Sequence, residues 1–226
     1  MSTLYIVATP IGNLEDITYR AVRILGESDF IYAEDTRLSG ILLKHYEIKV
    51  PMRSCNARNE TGRINEIKQH LDAGNTISIV SDAGTPGISD PSVRIVSALR
   101  SEHYNVVPLP GPSACVTALS AAGLPTDSFF FAGFLPNKKG RQTAFKKLNE
   151  QTGTIILYES PYRIEKCLNE IQAFMGNRYV VLAREITKKF EEFVSGNIDD
   201  LIANFDQLKI KGEFVVLIAD KKFTKK

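Results

Sequence analysis

The sequence predicts an α/β protein of two domains, with a parallel sheet in the first and a mixed sheet in the second. Three observations carry that reading. In the first half, short apolar runs alternate with segments of helical period, the pattern of a parallel sheet covered by helices. Pro108, Pro110 and Pro112 around Gly111 then break the alternation and mark a junction, placed between residues 1–114 and 115–226. Beyond it, apolar runs come so close together that antiparallel pairs are expected.

The elements follow in order. Leu4–Ala8 reads as a buried strand, and Thr18 caps a helix whose Ala21, Ile24 and Leu25 share one face, with Gly26 as its stop. Phe30–Ala33 is a second strand. Thr61 opens a helix through Ile64, Ile67 and Leu71 that ends near Gly74, and Thr76–Ser81 is a third strand. Pro91 starts a helix with Val93, Val96 and Leu99 on its core face, and Asn105–Leu109 is a fourth strand. After a helix from Ser113, strands are expected at Phe129–Ala132, Thr154–Tyr158, Tyr179–Ala183, Phe190–Ser195 and Glu213–Ala219, with helices near 140–150, 161–175 and 198–206. The Phe129–Phe134 run reads as a buried strand or as an apolar wall for a ligand, and the Lys221–Lys226 tail is expected to fray.

Composition excludes several classes. The 226 residues are 43% apolar and 24% charged, an ordinary globular balance. No apolar run approaches the roughly 18 to 20 residues needed to span a bilayer, and the first residues lack a basic stretch before an apolar one, so a cytoplasmic protein without a membrane segment is expected. Three cysteines and three histidines lie scattered without metal-ligand spacing, so no metal centre is expected. Residues 1–114 carry 11 basic and 13 acidic side chains, whereas residues 115–226 carry 17 and 13, for a net +4. The second half is therefore the better surface for a polyanion. Lys138, Lys139, Arg141, Lys146 and Lys147 form its densest basic run, joined by Lys188, Lys189 and Lys221–Lys226, and a solvated helix face is the alternative reading.

In open α/β sheets ligands bind beyond the carboxyl ends of the strands, so the loops there carry the chemistry. Thr9-Pro10-Ile11-Gly12-Asn13 follows the first strand, and Gly12 allows a close backbone approach; the run is neither G-x-G-x-x-G nor a P-loop. Ser81–Pro91 contains Asp82, Gly84, Thr85, Pro86, Gly87 and Asp90, with glycines that permit positive φ and carboxylates that accept from hydroxyls or an ammonium. Pro110-Gly111-Pro112-Ser113-Ala114 joins a further close-approach glycine to a helix start whose N–H groups suit a carboxylate. Each loop also reads as a plain connector. Three charged clusters complete the set: Glu34-Asp35-Thr36-Arg37, Glu159 with Arg163, and Arg184-Glu185 with Lys188. A carboxylate among them would take a proton and the cations would orient an anion; solvated ion pairs are the alternative.

Together the loops resemble a known family. LYIVATPIGNLEDIT, AEDTR, SDAGTPGISDP, PLPGPSA, GFLP, YESPYR, AREITKKFEE and KGEFVVLI occur in that order over nearly the whole chain, and they resemble the tetrapyrrole methylase family. Within it they are most similar to the branch that methylates the ribose 2′-hydroxyl of a decoding-centre cytidine in 16S rRNA, whose longer members add a helical region after the last motif. The resemblance implies a two-domain tetrapyrrole methylase-like fold, S-adenosylmethionine bound between the domains, a homodimer, and 16S rRNA of the small ribosomal subunit as substrate. It implies cofactor contacts from Pro10, Gly12, Asp82, Gly84, Thr85, Pro86, Gly87, Gly111, Pro112, Ser113 and Ala114. Asp35, Glu159 and Glu185 are the candidate bases, with Arg37, Arg163, Arg184 and Lys188 orienting RNA or the hydroxyl. Methylation of a tetrapyrrole or another small molecule is the competing activity, and a non-catalytic cofactor-binding regulator is the competing class.

Overall fold

The computed structural model describes residues 2–224. Lys225 and Lys226, part of the expected basic tail, lie outside the described residues. The chain forms two compact units, Met1–Ser113 and Ala114–Lys226.

The first unit is a five-stranded sheet of β1 (Leu4–Val7), β2 (Phe30–Ala33), β3 (Met52–Ser54), β4 (Ile77–Val80) and β5 (Val106–Leu109), in the order β3-β2-β4-β1-β5. Every pairing in it is parallel. Helices α1 (Tyr19–Glu27) and α2 (Thr36–His45) pack on one face, where Ala21, Ile24, Leu25 and Leu43 meet Val7, Ile31, Ala33 and Val80. Helices α3 (Glu60–Asp72) and α4 (Val93–Ser101) cover the other, where Ile67, Leu71, Ile95 and Leu99 meet Leu4, Ile6, Ile77 and Ile79. Successive strand residues thus serve opposite layers, as strand geometry requires.

Four expectations are corrected here. Helix α2 and strand β3 were not foreseen, so the expected third and fourth strands are β4 and β5. The Met52–Ser54 strand is three residues long at the sheet edge, too short for an apolar alternation to show. Gly26 does not stop α1; it lies within the helix, whose C-cap is Ser28. Helix α4 turns Ile95 and Leu99 inward and leaves Val93 exposed, because Val93, two positions from Ile95, lies on the opposite side of the helix.

The second unit begins with α5 (Ala114–Ala121) and builds a mixed sheet from β6 (Phe129–Phe134), β7 (Thr154–Glu159), β8 (Tyr179–Arg184), β9 (Glu192–Asn197) and β10 (Phe214–Ile218). The order is β6-β7-β10-β8-β9; β6 runs parallel to β7, and the other pairs are antiparallel. Helices α6 (Arg141–Asn149), α7 (Ile164–Met175) and α8 (Ile198–Ala203) cover one face through Phe145, Leu148, Cys167, Leu168, Ile171 and Leu201. The buried reading of Phe129–Phe134 is corrected: β6 is an edge strand with a register shift between Phe131 and Gly133, and Phe129, Phe130 and Phe134 are exposed.

Candidate functional site

In the first unit, β1 and β4 are neighbours whose onward connections leave in opposite directions, β1 toward β2 and β4 toward β5. Their loops leave there for opposite faces of the sheet, which is where an open α/β sheet offers a crevice. The loops are nonetheless tied to each other. Thr9 and Gly84 exchange both backbone hydrogen bonds, at 2.9 and 3.0 Å, and the Thr9 hydroxyl donates to the Ser81 carbonyl at 3.1 Å. The Thr85 hydroxyl donates to the Pro112 carbonyl at 3.1 Å, adding the loop after β5. Pro10, Gly12, Asp82, Gly84, Thr85, Pro86, Gly87, Gly111, Pro112 and Ser113 therefore belong to one set of three interlocked loops.

The glycines in these loops differ in what they do. Gly84 and Gly87 have φ of +80° and +83°, where a side chain is strained. A Cβ on Gly84 would stand 3.4 Å from the Ile11 side chain and 3.7 Å from the Pro112 carbonyl oxygen, inside the space the three loops share. Gly111 has an ordinary φ, and a Cβ there would lie 2.7 Å from the Ala8 methyl. Its missing side chain is thus required by packing against β1's end, which by itself accounts for the close-approach reading. The start of α5 is also less open than expected, since the Cys115 N–H donates to the Tyr158 hydroxyl at 3.0 Å. Ala114, the first residue of α5, opens the second unit.

The AEDTR segment joins the same set. Asp82 Oδ1 accepts from the Asp35 amide at 2.9 Å, and Glu34 Oε2 accepts from the Asp82 amide at 3.4 Å. Asp35 caps α2 and accepts from the Arg37 guanidinium; these bonds hold its carboxyl down at about 2. The Arg37 side chain is 88% exposed, so this ion pair is solvated. Burial pushes the Glu34 and Asp90 carboxyls above their ordinary values, with the Asp82 charge adding to both shifts. None of the loops 9–13, 81–91 and 110–113 contains a Lys or Arg.

In the second unit the strand register gathers the remaining motifs. Glu159, the last residue of β7, and Arg184, the last of β8, both pair with Phe214 at the start of β10, and Phe134 pairs with Tyr158. GFLP, YESPYR, AREITK and KGEF consequently meet at one end of the sheet. Glu159 is only 2% exposed there and lies between two guanidinium groups, Arg141 at 3.1 Å and Arg163 at 2.7 Å, while the Ser160 amide donates to it at 2.8 Å. Arg141 also reaches Glu170 at 2.6 Å, and Arg163 donates to the Asn137 side chain. Arg141, expected with the basic surface run, is 2% exposed, and that expectation is corrected: its charge is paired with the buried Glu159 and the partly buried Glu170. Lys138, Lys139, Lys146 and Lys147 remain exposed.

Arg184 is likewise buried, with Glu192 at 3.0 Å and the Lys211 carbonyl at 3.0 Å. Glu185 adopts φ +51° and accepts from the Glu213 amide at 3.0 Å and from Lys188 Nζ at 2.9 Å; Lys188 also reaches Glu213 at 2.7 Å. Burial opposes charge on Glu185 and Lys188 alike, but these bonds outweigh it, leaving Glu185 below and Lys188 above its ordinary value. Gly212 at φ +96° makes room: a Cβ there would stand 2.3 Å from the Glu185 carboxyl carbon. Glu170 and Glu213 were missed by sequence reasoning, and Glu34 was named only as a member of its cluster. Glu34 and Glu213 lie inside quoted motifs, whereas Glu170 sits on α7 with no local signal. Among the described residues no group of three His, Cys, Asp or Glu side chains is placed to hold a metal, and no helix is long and apolar enough to cross a membrane.

The model of the tetrapyrrole (corrin/porphyrin) methylases matches residues 3–202. The chain belongs to that family. It is 45% identical over 217 residues to the ribosomal RNA small subunit methyltransferase I of Halalkalibacterium halodurans, covering 96% of this chain and 75% of the relative. It is 44% identical over 221 residues to the protein of that name from Thermotoga maritima, covering 98% of this chain and 100% of the relative. Among solved structures, the methyltransferase CobJ superposes with a TM-score of 0.72 at 18% identity, over 100% of this chain and 97% of that one. A uroporphyrin-III-C-methyltransferase from Thermus thermophilus gives 0.67 at 18% identity, over 96% of this chain and 94% of that one. These two likenesses show a shared fold. As a tetrapyrrole methylase family member the chain is a methyltransferase whose donor is S-adenosylmethionine. The interlocked loops suit that donor chemically: it carries a diol, an ammonium and a sulfonium, and the loops offer carboxylates beside two positive-φ glycines and no Lys or Arg.

Proposed function

We propose that this tetrapyrrole methylase family member transfers a methyl group from S-adenosylmethionine to the ribose 2′-hydroxyl of a decoding-centre cytidine in 16S rRNA. The carrying observation is the 44% to 48% identity to ribosomal RNA small subunit methyltransferases I over nearly the whole chain. The gathering of GFLP, YESPYR, AREITK and KGEF at one sheet end supports it, since it sets half-exposed cations beside exposed lysines.

The donor supplies an electrophilic methyl on sulfur; the chain's residues supply position and charge. Pro10, Gly12, Asp82, Gly84, Thr85, Pro86 and Gly87 hold the donor, with Pro112, Ser113 and Ala114 at its edge and Gly111 setting the backbone path. In-line displacement depends chiefly on such positioning. Arg163 and Lys188 present fixed cations to the RNA phosphates or the acceptor oxygen, because Glu159 anchors the first and Glu185 with Glu213 anchors the second. Glu159 and Arg184, both buried, act by holding their loops. Asp35 or Glu185, the candidate bases that are not buried, takes the hydroxyl proton, and Arg37 orients Asp35. The enzyme works in the cytoplasm, as a homodimer, on small-subunit particles.

Incubation of the purified protein with methyl-labelled donor and unmethylated small-subunit particles tests this. Label on one cytidine ribose is expected. Label on an added tetrapyrrole and none on the RNA would overturn the reading.

A further inference from the structure

The loop after β4 is held at both ends, and only the first hold involves the motifs described above. At its start, Gly84 is bridged to Thr9. At its end, the amides of Ser92 and Arg94 both donate to Glu60 Oε1, at 2.8 and 3.2 Å. Glu60 is the first residue of α3, is itself buried, and carries its carboxylate to the N-terminus of a different helix, α4.

Ser92, the residue before α4, would ordinarily cap its own helix with its hydroxyl. Here its φ is +123°, its side chain makes no capping bond, and its buried Oγ has no hydrogen-bond partner. The capping of the first free N–H groups has passed to Glu60, whose negative charge also suits the positive end of the helix. Gly87 completes the arrangement: a Cβ on it would stand 3.0 Å from Ser92 Oγ, so the loop's second positive-φ glycine rests directly on the strained serine. Such a backbone persists only when its surroundings impose it. Glu60 is the group that does so here.

The geometry points to Glu60 as a positioning residue for the methyl-donor loop, fixing Gly87 and Asp90 through its two bonds to the start of α4. The inference rests on the reading of Asp82–Gly87 as donor-binding. Without the carboxylate, Ser92 relaxes to negative φ and residues 87–91 lose the conformation that receives the donor.

Calorimetry with S-adenosylmethionine and hydrogen exchange on the full chain test it, with Leu71→Ala, at the far end of α3, as a control for general destabilisation. Glu60→Ala should raise Kd at least about tenfold, while Glu60→Gln, which keeps an acceptor at the same place, should stay within about threefold of the wild type. Leu71→Ala should bind as the wild type does. Where Glu60→Ala does not fold, Glu60→Asp, one methylene too short to reach both amides, takes its place with the same expectation. Equal Kd for the wild type and the Glu60→Ala or Glu60→Asp variant, or equal loss in Leu71→Ala, would overturn the proposal. Exchange separates the two levels: donor-induced protection across residues 82–91 of the wild type supports the donor-loop reading, and its absence would overturn that reading and this inference together.

Discussion

Gly111 packs so closely on Ala8 that a Cβ added to it would stand 2.7 Å from the Ala8 methyl. The loop after β5 is thereby seated on the end of β1, beside the Thr9–Gly84 bridge. Gly111→Val should act first on stability, since overpacking a tight contact costs about 1–3 kcal/mol. Gly84→Ala strains a φ of +80° but meets only van der Waals neighbours, so it should fold and weaken donor binding. Thermal melting beside calorimetry separates the two, and a Gly111→Val variant with an unshifted melting temperature would contradict the packing account.

Glu159 holds Arg141 and Arg163 from a buried position. Removing one partner of such a network leaves unpaired charge behind, at about 3–5 kcal/mol. Glu159→Ala should therefore lower the urea midpoint of unfolding strongly, whereas Lys139→Ala, on the surface, should stay within about 0.5 kcal/mol of the wild type. Similar midpoints for the two variants would show that the network is not what holds the YESPYR loop.

The pH dependence of Asp35 has a definite sign. Its carboxyl titrates at about 2 because Arg37 bonds to the ionised form, whereas an unfolded aspartate titrates near ~3.9. Its contribution to stability is fully present above the unfolded value and is lost as the pH falls toward 2. Carboxyl carbon shifts followed by NMR should show that low midpoint in the wild type and a return toward the ordinary range in Arg37→Ala. An unmoved midpoint in the variant would remove Arg37 as the cause.

The parts of the fold that could be read in the sequence are those whose residues face a core on a regular period. Ala21, Ile24 and Leu25 of α1 and the apolar run of β2 gave their elements and bounds closely. Strand β3, with Met52 and Ser54 half-buried and Arg53 outside, offers no apolar period to read. The site was legible as loops but not as contacts. Nothing local in the sequence says that Arg141 turns inward to Glu159 and Glu170 while Lys138 and Lys139 stay outside. Nor does it say that Glu213, 25 residues on from Lys188, completes that lysine's cage. Such pairings follow from strand register and helix packing, which join distant segments.

The exposed lysines give a salt-dependent prediction. Lys138→Glu with Lys139→Glu should weaken binding to small-subunit particles and reduce the logarithmic salt slope by up to about 0.9 for each phosphate no longer neutralised. Donor affinity should not change. Arg141 stays in place, since reversing a buried cation would disturb the fold rather than the surface. A double reversal that leaves the slope untouched would move the RNA surface to Arg163 and Lys188.

Ribose methylation of one decoding-centre cytidine is tested by mapping 2′-O-methyl groups along 16S rRNA from cells lacking the protein and from cells with it restored. A single cytidine should lose its ribose methyl and regain it on restoration; a map identical in both would refute the proposed activity.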